Sequence, residues 1–328
     1  MESVQLGKTG LKVSRLCLGC MSFGVPGREP HPWVIDEEAS QDVFQVATDA
    51  GLYFWDTANM YGAGASEEIT GRAMKRYFVS RTDLVLATKM ANPMGDGPNE
   101  KGLSRKHIIE ACEGSLRRLG TDYIDLYYIH RIVGLAPFEE CCAALDQLLR
   151  QGKVLYLGAS SMWAWQFAKL RAVQREIGSQ QFVAMQNFYN LVYREEEREM
   201  IPYCQSEGIA VVPWSPIARG FLAGNRPKDG ELTNRARIDK MHQGYFGSKQ
   251  DYEILRRVEK VAADTGYKPA QIAYAWVLSK PFITAPIVGV TKPWQLEEAI
   301  SALEVSLTAA QINYLEKPYK PVAVQGHS

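Results

Sequence analysis

The sequence predicts a (β/α)8 TIM barrel formed by a single domain over residues 1–328. Short apolar, β-rich runs alternate with amphipathic helical segments, the pattern of a parallel sheet wrapped by helices. Eight such runs can be counted, the number a barrel of this kind needs. They are continuously apolar rather than alternating, as strands buried on both faces are. An open doubly wound sheet is the other arrangement that this pattern allows.

In chain order, Val4 to Val13 reads as a hairpin turning at Gly7-Lys8-Thr9-Gly10, placed to plug the barrel floor. The first barrel strand is Leu16 to Leu18, the second Tyr53 to Trp55 and the third Leu84 to Thr88. A helix from Ser104 to Leu119 carries Ile108, Ile109, Cys112, Leu116 and Leu119 at helical spacing, with Ser104 as N-cap and Gly120 just beyond its end. Strand four is Ile124 to Ile129, followed by a helix over Phe138 to Leu149. Strands five to seven are Val154 to Ala159, Phe182 to Met185 and Ile209 to Val212. After strand seven, Asn225 to Asp251 is a long polar stretch with neither helical nor strand period. It is expected to be a lid or binding loop, with a helix beginning at Tyr252. Ile283 to Val288 is strand eight, and Trp294 to Leu303 the last barrel helix.

The composition is that of a globular protein, 46% hydrophobic and 23% charged, and Lys+Arg and Asp+Glu both number 37. That balance argues against a nucleic-acid partner, which usually leaves a basic excess. No apolar run approaches the ~18 residues of a membrane span, and the first ten residues lack the apolar segment of a signal peptide. Cys17 and Cys20 form a C-x-x-C inside an apolar stretch with no second pair at metal spacing. They read as buried thiols, no metal is expected, and the expected compartment is the reducing cytoplasm.

Chemistry is expected where three strands run into polar residues: Asp56, Lys89 and His130 end strands two, three and four, and Tyr61 follows in the turn after Asp56. Polar residues at the C-terminal ends of barrel strands face one mouth. A tyrosine phenol is too weak an acid for efficient donation at neutral pH, and a neighbouring ammonium makes it a stronger one by stabilising the phenolate. Asp56 would keep Lys89 charged and oriented, and His130 could donate a hydrogen bond to a carbonyl oxygen.

The motifs FWDTANMYG (54–62), LATK (86–89), IHR (129–131), GASSM (158–162), MQNFYN (185–190), PWSPIARG (213–220) and GVTKPWQLEEA (289–299) resemble those of the aldo-keto reductases over nearly the whole chain. YNLVYREEEREM and SRLCLGCMSFG are most similar to a bacterial YajO-like branch. The resemblance implies a catalytic tetrad of Asp56, Tyr61, Lys89 and His130, with Tyr61 as general acid and hydride delivered from a nicotinamide cofactor to an aldehyde or ketone.

It also implies a cofactor site without a G-x-G-x-x-G loop. Ser160, Ser161 and Gln186 would hold the carboxamide, with Cys20, Met21 and Asp56 nearby, and Trp214 would stack on the ring. Ser215, Pro216, Ile217, Ala218, Arg219 and Gly220 would wrap the pyrophosphate. Gly289, Thr291 and Lys292 precede a helix whose N-terminus suits phosphate. Lys292 there favours NADP(H) over NAD(H), and Gln295 and Glu298 match adenosine positions. Phe23, Trp33, Trp55, Met90, Trp163 and the 225–251 loop are expected to wall a pocket for an apolar or aromatic small-molecule carbonyl. Three departures from the family pattern stand out: Ser161 and Ala299, each where asparagine is common, and Ile132-Val133-Gly134 where a polar pair is usual.

Two other functions compete. A cofactor-sensing subunit like the potassium-channel β subunits is weighed against by His130, since those proteins carry a different residue there. A Schiff-base aldolase using Lys89 is weighed against by Asp56, which keeps the amine protonated. Substrate identity, reaction direction and oligomeric state are left open.

Overall fold

The structure, a computed structural model, describes residues 1–27, 31–134, 136–224 and 238–327. Strands β1 (Ser3–Gln5) and β2 (Lys12–Ser14) pair antiparallel, with Val4 opposite Val13. The barrel strands are β3 (Cys17–Gly19), β4 (Phe54–Asp56), β5 (Val85–Met90), β6 (Ile124–Ile129), β7 (Val154–Ser160), β8 (Ala184–Gln186), β9 (Ala210–Val211) and β10 (Ile287–Gly289). They form one parallel sheet in the order β10-β3-β4-β5-β6-β7-β8-β9. The two edges meet: Val211 bridges Ile283, and the Ile287 N–H donates to the Pro213 carbonyl. The expected (β/α)8 barrel with its N-terminal hairpin is therefore the fold.

The eighth strand is shorter than the apolar run Ile283 to Val288. Pro286 has no N–H for the ladder. The run pairs with β9 at Ile283 and Thr284, then with β3 from Ile287 onward.

Strand period sorts the core into two layers. Phe54, Val85, Ala87, Leu126, Tyr128, Ala184 and Ala210 fill the barrel interior, closed at the floor by Leu6 and Val13 of the hairpin. Trp55, Leu86, Met90, Tyr127 and Ile129 point the other way, onto the helices. At the hairpin turn Gly7 takes φ +57°, and a Cβ there would lie 2.6 Å from the Gly208 carbonyl oxygen, so the plug seats directly on the segment entering β9.

The helices packed outside are α1 (Glu37–Asp49), α2 (Ala65–Tyr77), α3 (Arg105–Leu119), α4 (Phe138–Arg150), α5 (Ala164–Glu176) and α6 (Met200–Glu207). Then come α7 (Lys240–Tyr245), α8 (Lys249–Thr265), α9 (Pro269–Leu278), α10 (Pro293–Ser301) and α11 (Ala309–Glu316). Ser104 caps α3 by accepting from His107 N–H, and Gly120 ends it in the left-handed region. The polar stretch after strand seven departs from expectation in its described part. It contains α7, and α8 starts three residues before Tyr252, where Ser248 and Asp251 form a capping box. Residues 225–237 of that stretch lie outside the described residues.

Candidate active site

Strand period also builds the site. Asp56 and Lys89 share the inward parity of Phe54, Val85 and Ala87, and His130 that of Leu126 and Tyr128, so all three reach the mouth from inside the barrel. Lys89 is wholly buried, and its three N–H donors are all spent. They go to Asp56 Oδ2 at 2.5 Å, the Thr57 carbonyl at 2.8 Å and Tyr61 Oη at 3.2 Å. The other oxygen of Asp56 accepts from Gln186 Nε2 at 3.0 Å. An ammonium has no acceptor capacity, so Tyr61 Oη must receive a hydrogen from Lys89. Its own hydrogen is left to point into the cavity that Tyr61 lines.

Charge in this cluster is settled by burial against neighbours. Burial pulls Lys89 down, but Asp56 and Tyr61 outweigh it and hold the amine above its ordinary value, so it is an ammonium. Burial raises Asp56, with Lys89 and Gln186 opposing. Burial, reinforced by the charges of Lys89 and Arg131, pushes His130 well below the usual imidazole range. His130 is therefore neutral. Its Nδ1 lies 3.0 Å from Asn92 Nδ2, which also lies 3.0 Å from Met60 Sδ. The side-chain hydrogen bond of His130 is through Nδ1, and the residue lines the cavity.

The cavity is about 960 Å³ and runs across the mouth. All six non-glycine residues with φ in the left-handed region, among those described, sit in the loops around it: Ala63, Ala91, Ser161, Ser215, Ala218 and Arg219. Such backbone costs about 1–3 kcal/mol at each position and collects at functional sites.

Most of the residues expected to meet a cofactor line this cavity. Met21, Asp56, Ser160, Gln186 and Trp214 stand near the tetrad, and Ser215, Pro216, Ile217, Arg219 and Gly220 form the turn beyond. Gly289, Thr291, Gln295 and Glu298 form the far end. Cys20 and Ala218 do not reach it, being wholly buried; burial pushes the Cys20 thiol up to about 12. Ser161 lines a neighbouring recess and accepts from Trp214 Nε1. Lys292 is exposed outside the cavity, and the lysine on its wall is Lys268, bonded to Glu298. Arg219 reaches the cavity, but its Nε and Nη2 both donate to Asp239 in a buried ion pair.

The expected pocket walls fare differently, and none of the five residues lines the cavity. Trp55 and Met90 are wholly buried, because they neighbour Asp56 and Lys89 on their strands and so face outward. Phe23 packs on Phe44 in the same outer layer. Trp33 is nearly buried beside His31, and Trp163 is partly exposed against His327. The 225–251 stretch does reach the cavity, at Met241 and Tyr245, and Met60, Asn92, Arg131 and Gly326 stand where the five were expected. Asn92 was findable as a polar residue three positions past Lys89, and Arg131 as the neighbour of His130. Gly326, from the chain's far end, carries no local signal.

Comparison with known proteins identifies the family. The model of the aldo/keto reductase family matches residues 15–320. Versiconal hemiacetal acetate reductase of Aspergillus parasiticus is 43% identical over 99% of this chain and 98% of its own. The aldo-keto reductase dtxS3 of Metarhizium robertsii is 39% identical over all of this chain and 94% of its own. A Saccharomyces cerevisiae protein whose name assigns it provisionally to the aryl-alcohol dehydrogenases is 40% identical over 98% of each. These relatives are fungal, and the likeness to a bacterial branch has no counterpart among them. With a barrel of the right order and similarity along almost its full length, the chain belongs to the aldo/keto reductase family, oxidoreductases that interconvert carbonyls and alcohols and generally use nicotinamide cofactors.

Proposed function

We propose that this protein is an NADPH-dependent reductase of aldehydes or ketones, with Tyr61 as general acid and Lys89, Asp56 and His130 as its partners. The observation that carries the reading is the Lys89 ammonium. With three acceptors filled, it leaves the Tyr61 hydrogen for a carbonyl oxygen placed in the cavity. Proton donation in this way contributes about 10²–10⁴ in rate, and the same ammonium stabilises the phenolate that remains. The name of the Saccharomyces cerevisiae relative points to an aryl substrate. Six free, buried cysteines accord with work in the cytoplasm.

The residues present fit a nicotinamide dinucleotide, which when bound supplies the hydride. Gln186 spends its side-chain N–H on Asp56, leaving Oε1 to accept from a carboxamide; Ser160 donates to the Gln186 main-chain carbonyl and, accepting one bond from Arg131, keeps a second lone pair. The Trp214 ring stands beside them on the cavity wall. At the far end the N-termini of α9 and α10 both reach the cavity, at Lys268, Pro269 and Ala270 and at Thr291, Trp294 and Gln295, and favour phosphate there.

Lys268, rather than Lys292, is the cation we assign to a 2′-phosphate. Lys268→Ala is expected to raise the KM for NADPH about ten-fold, leaving that for NADH little changed, while Lys292→Ala alters neither value. Parallel NADPH and NADH assays over a set of aryl aldehydes and ketones measure this. NADH used as well as NADPH by the unsubstituted protein would overturn the cofactor preference.

Asn92 sets the His130 tautomer in this reading. A thioether offers no hydrogen, so the Asn92 group facing Met60 Sδ must be its NH2, and the same group then donates to His130 Nδ1. The imidazole hydrogen therefore lies on Nε2, aimed at the substrate oxygen. Asn92→Asp replaces that donor with an acceptor and raises the His130 pKa from its depressed position. Imidazolium then persists to higher pH, and kcat/KM gains a change between about pH 5 and 8 that the unsubstituted protein lacks. A ¹⁵N spectrum with the hydrogen on Nδ1 in the unsubstituted protein would refute the assignment.

A further inference from the structure

We infer that a second recess, beside the tetrad, receives a carboxylate of the substrate, so that the preferred substrates are aryl or short-chain carbonyl compounds that carry an acid group. The inference deepens the reductase reading and rests on it for the carbonyl. The recess is about 300 Å³ and shares Asn92, Arg131 and Gly326 with the main cavity, so a ligand in it lies next to His130.

Its wall is rich in donors. Arg131 uses Nη1 on the His130 carbonyl and on Ser160 Oγ, which leaves Nε and Nη2 without a hydrogen-bond partner among the described residues. It forms no ion pair with any described carboxylate. Glu196 is the carboxylate whose charge reaches it. That group is bonded instead to Asn187, and burial pushes its pKa up to about 7, so it is only partly charged at neutral pH. Burial lowers Arg131 from its ordinary value, as expected for a cation lacking a close counter-charge. Gln166 accepts the Trp163 N–H through Oε1, which leaves its NH2 for the recess, and Ser161 accepts from Trp214, which leaves its hydroxyl hydrogen. Ile132, Val133 and Met162 line the same recess. A guanidinium fork, an amide and a hydroxyl in a recess that also carries apolar lining suit a carboxylate on a hydrocarbon or aryl frame.

Two of the three departures from the family pattern lie here as well, while the third, Ala299, is wholly buried elsewhere. Ser161 and Ile132-Val133 are on the recess wall. These side chains set the shape and polarity of the recess, and specificity is the property that such a wall controls.

The test compares 4-carboxybenzaldehyde with its methyl ester under saturating NADPH. The acid is expected to have a kcat/KM about ten-fold or more above the ester, through KM, since the ester keeps shape but loses the charge-assisted bonds. Arg131→Met should remove the preference, Arg131→Lys should restore part of it, and Gln166→Leu should weaken it; the ester rate in each variant reports any damage to the tetrad. Binding of terephthalate, followed by tryptophan fluorescence without turnover, should weaken at least ten-fold in Arg131→Met and with added salt. Equal kcat/KM for acid and ester, or terephthalate binding indifferent to Arg131, overturns the recess assignment. Arg131-dependent terephthalate binding with no NADPH-dependent turnover of any carbonyl supports the recess and overturns the reductase reading instead.

Discussion

Tyr61→Phe is expected to bind NADPH as the unsubstituted protein does and to lose about a thousand-fold in kcat, the middle of the range for general acid catalysis. The substitution removes one oxygen. Lys89 keeps two of its three acceptors, Asp56 Oδ2 and the Thr57 carbonyl. The third N–H then faces a site that already opens to the cavity, where water can reach it. Folding stability should therefore fall by no more than about 1 kcal/mol, and cofactor affinity, measured by fluorescence titration, should hold. His130 cannot take over. It is neutral, and its Nε2 hydrogen is too weakly acidic to replace a phenol backed by an ammonium. A variant that reduces aldehydes at an undiminished rate would show that the proton comes from elsewhere.

The reasons for this expectation were partly visible in the sequence. Asp56, Lys89 and His130 end three apolar runs, and barrel geometry brings such ends together; the distances around Lys89 Nζ follow from that one fact. The same period-two rule contradicts two of the expected pocket walls. Trp55 precedes Asp56 and Met90 follows Lys89, so if the charged pair faces inward both neighbours must face the helices. Chemical type suggested an aromatic wall where parity forbade one.

Other features depended on contacts that no local pattern carries. Lys268 and Lys292 each precede a proline at a helix start, and both have the composition of a phosphate site. Only the packing of α9 and α10 around the mouth decides that the first reaches the cavity and the second faces solvent. Arg219 was legible as a cation near a cofactor, but its ion pair with Asp239 was not, because Asp239 lies in the stretch without helical or strand period. The recess is assembled from the ends of β5, β6 and β7 together with residues 326 and 327, a juxtaposition that only folding supplies.

Lys89→Met should be the most damaging single change at the mouth, and for two separable reasons. Activity should fall by at least as much as in Tyr61→Phe, because the phenol loses the cation that stabilises its conjugate base. Stability should fall by about 3–5 kcal/mol, the cost of leaving one partner of a buried ion pair without the other. Asp56 has only 4% of its side chain exposed and would retain a single bond, from Gln186. Burial already raises its pKa, and without Lys89 nothing of comparable strength opposes that rise. A carboxyl whose folded pKa lies above its unfolded value near ~3.9 favours the folded state least once pH exceeds the folded pKa, where ionisation in the interior must be suppressed or endured. The deficit of Lys89→Met relative to the unsubstituted protein should therefore be larger at pH 8 than at pH 5, a sign opposite to that of a carboxylate held low by a salt bridge. Denaturant unfolding at both pH values measures it. The double variant Asp56→Asn with Lys89→Met removes the stranded charge, so it should regain much of the stability, lose the pH dependence and remain inactive. A deficit in Lys89→Met that ignores pH, or a double variant no more stable than the single one, would mean that the pair acts through packing rather than through charge.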